Sequence, residues 1–78
     1  MKLLSASDAA DLIERFLGGN ERYPQEWNDF IEALKVESGV EEYRRSCYVL
    51  DPLVNKPGEP DAGALSELKE IVAKLRAM

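Results

Sequence analysis

Seventy-eight residues, 45% hydrophobic and 32% charged, make one small folded domain, too apolar for a disordered chain and too short for two cores. A net charge of −5 argues against a nucleic-acid binder, and a single cysteine excludes an internal disulfide framework and favours a reducing, cytoplasmic setting. No apolar run approaches the roughly 18 residues of a membrane helix, and Met1-Lys2-Leu3-Leu4 meets Ser5, Ser7 and Asp8 without the apolar centre of a signal peptide.

The pattern predicts a first helix over about 6–17, with Leu12, Ile13, Phe16 and Leu17 as its apolar stripe and Ala9 one turn earlier. Ser5 with Asp8 three residues on makes an approximate capping box, and Ser7 is a competing cap. Asp11 and Arg15 stand at i, i+4 and can pair, after which Gly18-Gly19-Asn20 closes the helix. A second helix is expected over about 24–36, where Trp27, Phe30, Ile31 and Leu34 share one face and Pro24 suits the first helical position. It supplies the only Trp, the largest apolar body available to the core. Glu26, Asp29 and Glu32 are expected on its outer side.

Ser38 and Glu41 have capping-box spacing for a third helix over about 39–50, its stripe formed by Val40, Tyr43, Cys47 and Leu50. Glu41 and Arg45 have pairing geometry, and Asp51-Pro52 should stop the helix, because the residue before proline is pushed out of the helical region. A proline-rich loop over 51–61 follows, with Leu53 and Val54 expected to pin it to the core. Asp61 then caps a last helix over about 62–77, in which Leu65, Leu68, Ile71, Val72 and Leu75 give strong helical periodicity. Glu70 and Lys74 form a favourable i, i+4 pair. The expected architecture is all-α: a compact, irregular four-helix bundle in a single domain.

The chain has no histidine, so the usual general base and commonest metal ligand are missing. Cys47 lies on an apolar stripe and reads as a structural core residue. Gly18-Gly19-Asn20 lacks the strand and Lys-Ser/Thr of a phosphate loop, and no EF-hand spacing organises the carboxylates. Neither catalysis, a metal nor a cofactor is expected. The charge excess is instead local: Glu21, Glu26, Asp29, Glu32, Glu37, Glu41 and Glu42 face only Arg22 and Lys35 within residues 21–42, and the remaining residues balance. Such a segment either keeps a small protein soluble or speeds encounter with a basic partner. Tyr43 reads as core, whereas Tyr23 and Tyr48 are candidate exposed anchors beside it. The candidate protein-binding set is therefore Tyr23, Glu26, Asp29, Glu32, Glu37, Glu41, Glu42 and Tyr48.

Glu26-Trp27-x-Asp29-Phe30 followed by Arg44-x-x-Cys47 resembles a pattern in small bacterial helical proteins of no assigned activity, and implies a bacterial origin. Size, acidity and four helices are loosely similar to the immunity proteins that neutralise colicin nucleases. Where that family carries Tyr-Tyr-Pro on a very short third helix, this chain has Tyr48 in a longer helix ending Asp51-Pro52. The first expectation is thus a non-catalytic module, inhibitor or immunity-type, that meets a basic protein and neither nucleic acid nor membrane. The alternative is a structural subunit or homodimer using spare apolar surface on the third or fourth helix.

Overall fold

A computed structural model of the chain describes residues 3–32 and 35–78. The fold is an all-α bundle of α1 (Ala6–Leu17), α2 (Glu26–Glu32), α3 (Ser38–Val54) and α4 (Ala62–Arg76). Two helix starts follow the expected chemistry. The Ser5 hydroxyl accepts from the Asp8 N–H at 3.2 Å while the Asp8 carboxylate accepts from the Ser5 N–H at 3.4 Å, a reciprocal box that satisfies two donors left open by the first turn. At α4, Asp61 accepts from the Ala64 N–H at 2.8 Å.

The helices close around Trp27. Its indole stacks on Phe16 with centroids 4.0 Å apart, tilts against Phe30 at 6.1 Å, and donates its N–H to Asp51 Oδ1 at 2.7 Å. Burying a ring of this size contributes up to about 4–6 kcal/mol, more than any single polar contact in the molecule. With Trp27 and Phe30, Ile13, Ile31, Leu68, Leu75, Val40 and Cys47 are the largest fully buried side chains, and α1 lies against α4 and α3 against α2 and α4. Tyr43 packs half-buried on this core, as its place on the α3 stripe implies.

The middle of the chain departs from the expected boundaries. Pro24 does not start α2: it sits in a turn closed by Glu26 N–H to Tyr23 O at 3.1 Å, and the helix begins at Glu26. By Lys35 the backbone is extended, because Leu4 and Val36 form a parallel bridge with bonds of 3.1 and 3.0 Å to Lys35 O and from Glu37 N–H. Leu34, expected on the α2 stripe, lies outside the described residues. Ser38 is already helical and caps nothing; Glu37 is the N-cap residue and makes no side-chain cap bond, while the Glu41 carboxylate is drawn to Arg44.

Asp51-Pro52 does not stop α3, which continues to Val54. The proline faces solvent, so water can serve the Tyr48 carbonyl that it deprives of a donor, while Trp27–Asp51 and the buried Val54 hold the last turn in place. The irregular segment is accordingly shorter than expected, and only Val54 pins it, Leu53 being 43% exposed. Gly58, at φ +89°, takes the left-handed conformation that the turn needs. Two expected local pairs are absent: Arg15 leaves Asp11 to Arg76, and Glu70 and Lys74 form no ion pair. Among the described residues no helix is long and apolar enough to cross a membrane.

Candidate functional site

The candidate residues divide into those the fold consumes and those it leaves outside. Glu26 belongs to the first group, and its expected place on the outer face is corrected: it is 3% exposed. The inward side of α2 keeps Trp27, Phe30 and Ile31, the described members of the stripe read from the sequence, and adds Glu26 beside Trp27. Arg15 of α1 reaches across and grips both carboxylate oxygens at 3.0 and 2.8 Å, and the Arg22 N–H adds a bond at 3.3 Å. Hydrogen bonding from Arg15 holds the Glu26 carboxyl below its ordinary value, against the opposing pull of burial. No outward charge remains here.

Glu41 is half in the same group. Arg44 binds it at 2.9 and 2.6 Å and Arg45 at 3.4 Å, which lowers its pKa, chiefly through the Arg44 hydrogen bonds. Arg44 also donates to the Ile31 carbonyl near the end of α2, so it serves as a clasp between α2 and α3. Tyr23 and Asp29 occupy each other, with the phenol O–H donating to Asp29 at 3.0 Å. Partial desolvation, then this bond, raises the Tyr23 pKa. Tyr23 is 42% exposed at the mouth of a polar cleft of about 330 Å³ whose floor is the Arg15–Glu26 pair.

Glu32, Glu37, Glu42 and Tyr48 remain outside. The three carboxylates are exposed and make no hydrogen bond or ion pair. Of these, only Glu32 and Tyr48 share a site, an open cleft of about 530 Å³ between α2 and α3 that includes Ile31, Arg45 and Val49. Glu37 stands apart at the start of α3, and Glu42 faces the α4 side together with Glu67 and Glu70. Three further residues, absent from the candidate set, belong with Tyr48: Val49, exposed at 71%, Leu53, and Glu67 across the α3–α4 groove. Their signal was readable, since Val49 falls outside the Val40–Tyr43–Cys47–Leu50 stripe and helical geometry turns it outward beside Tyr48. The one thiol does not open onto this face: Cys47 is buried, and burial pushes it up to about 12.

Among the described residues no group of three or more Cys, Asp or Glu side chains is placed to hold a metal ion, and no buried side-chain N or O lacks a partner. No protein-family model, no curated protein and no solved structure matches the chain significantly.

Proposed function

We propose that the chain is a non-catalytic protein-binding module that meets a basic protein partner on the outer face of α3. One observation carries this reading: Tyr48, Val49 and Leu53 stand exposed together on one helix, with the unpartnered carboxylates of Glu32, Glu42 and Glu67 around them. Aromatic and aliphatic anchors supply the affinity of such surfaces, and a rim of one sign selects and steers the partner. An inhibitor or immunity-type role is the form this reading takes when the partner is an enzyme or toxin. The one thiol, unpaired and buried, suits a reducing cytoplasm.

Panning a random-peptide display library against the protein, with Val49→Asp as the counter-selecting variant, tests the reading. Recovered sequences should combine lysine or arginine with apolar residues, and their binding should weaken at high salt. Acidic or neutral sequences, or clones that bind the variant as well as the wild type, would overturn it. Val49→Asp makes the face more acidic, so a loss of binding reports the apolar contact and not the charge.

A further inference from the structure

We infer that the partner presents to this face an amphipathic α-helix whose apolar stripe is flanked on both sides by lysine or arginine. The inference rests on the protein-binding reading above and adds the form of the occupant. Three observations lead to it.

The first is the shape of the face. α3 has 17 residues and spans about 25 Å, whereas α2 has seven and covers about 10 Å, so much of the α3 flank has no neighbouring helix. Its exposed side chains fall in two rows with four-residue spacing, Arg45–Val49–Leu53 and Tyr48–Pro52. Such rows are the ridges into whose grooves another helix packs. The second is what the face lacks. It offers no strand edge for an extended peptide, since the isolated bridge of Leu4 with Val36 involves neither α3 row. Nor does it offer the several aromatics that hold a proline-rich segment, Tyr48 being its one exposed ring. Of the common modes of peptide recognition, helix-in-groove fits this surface.

The third is the placement of charge. Glu32 borders the apolar ridge on the α2 side, while Glu67 and Glu42 border it on the α4 side. Arg44 is gripped by Glu41 and Arg45, though its side chain is 76% exposed, pairs with the same carboxylate at 3.4 Å, while on the α4 side the cation Lys74 shares its cleft with three carboxylates, Glu42, Glu67 and Glu70. Carboxylates on both sides of an apolar ridge call for cations on both sides of an apolar stripe. A second copy of this chain would instead bring two acidic rims together, and like charges across an interface oppose association.

Three synthetic peptides test this by fluorescence anisotropy: a lysine-flanked amphipathic helix, an isomer of identical composition with its apolar residues moved to alternate positions, and a glutamate-flanked copy of the first. The lysine-flanked helix should bind about tenfold or more tightly than either control, lose about tenfold on Val49→Asp, and weaken on the double charge reversal Glu32→Lys/Glu67→Lys. If the isomer binds as well and still depends on Val49, the face reads basic chains without regard to helical form; the inference falls and the proposed function stands. If no peptide depends on Val49, both fall. A wild-type dimer by sedimentation that Val49→Asp dissociates would put a second copy on the face and overturn the inference.

Discussion

Replacing Glu26 with glutamine isolates the ion pair that the fold has drawn into its interior. Removing one partner from a fully buried pair costs about 3–5 kcal/mol, whereas an exposed pair contributes about 0–1 kcal/mol. The Glu26 side chain is 5% exposed and that of Arg15 is 23%, which places the pair between these limits and nearer the buried one. Glutamine can still accept one bond from Arg15 but leaves its charge uncompensated, so Glu26→Gln should cost about 2–3 kcal/mol. A domain this small holds only about 3–5 kcal/mol in total, and the melting temperature should fall by roughly 10–20 °C.

The pH dependence gives the test its sign. Glu26 is held below its ordinary value of 4.5 in the folded protein, first by hydrogen bonding from Arg15. Its contribution is therefore complete above the unfolded value and is lost as pH falls through the lower folded value. Urea unfolding followed by Trp27 fluorescence should show the full gap between wild type and Glu26→Gln at neutral pH, and a gap that closes below the ordinary carboxylate range. Joint replacement, Arg15→Met with Glu26→Met, should cost less than the sum of the single changes, because an apolar pair leaves no orphan charge. Equal urea midpoints at neutral pH, or a gap undiminished in acid, would refute the account of Glu26 as an internal partner of Arg15.

Other substitutions probe separate parts of the structure. Asp51→Ala leaves the Trp27 indole N–H unpartnered and should cost about 1–2 kcal/mol by urea midpoint. Pro52→Ala restores a donor for the Tyr48 carbonyl and should stabilise by about 1 kcal/mol, the helix gain being partly offset by a freer unfolded chain. Cys47 should resist a thiol-specific reagent in the native protein at mildly alkaline pH and react at once in urea; fast native reaction would contradict its burial. Val49→Asp should change stability by no more than about 0.5 kcal/mol, since Val49 is 71% exposed and has little packing to lose.

The ends of the chain were more legible than its middle, for a local reason. Ser5, Asp8 and Asp61 cap through atoms three residues away, and the α1 and α4 stripes are long enough to fix their own phase. α2 was misjudged because its limits come from elsewhere. Leu4 draws Val36 into a bridge, and Arg15 on another helix makes it tolerable for Glu26 to face inward. A run of acids at three-residue spacing reads as an outer face until the cation that neutralises one of them is located, and that cation is 11 residues away in sequence. Pro52 misled for a similar reason: the rule that stops a helix at proline describes the backbone, while the Trp27–Asp51 bond that holds the turn spans 24 residues.

The arginines decide what the acidic surplus can do. All five carry ion pairs within the chain: Arg15 and Arg22 with Glu26, Arg44 and Arg45 with Glu41, and Arg76 with Asp11 and Glu14. The cations best suited to bind a carboxylate in a partner are thereby engaged within the chain, even where their side chains reach solvent as those of Arg22 and Arg45 do, while Glu32, Glu42 and Glu67 are exposed and make no such pair. This division predicts a kinetic signature on the α3 face. Exposed carboxylates act at a distance, so Glu32→Lys/Glu67→Lys should slow association and flatten its dependence on salt while changing dissociation little. Val49 acts only on contact, so Val49→Asp should speed dissociation without slowing association, because the added carboxylate favours encounter with a basic partner. If both variants act on the same rate constant, steering and anchoring are not separate functions of this surface, and the division drawn from the arginines fails with them.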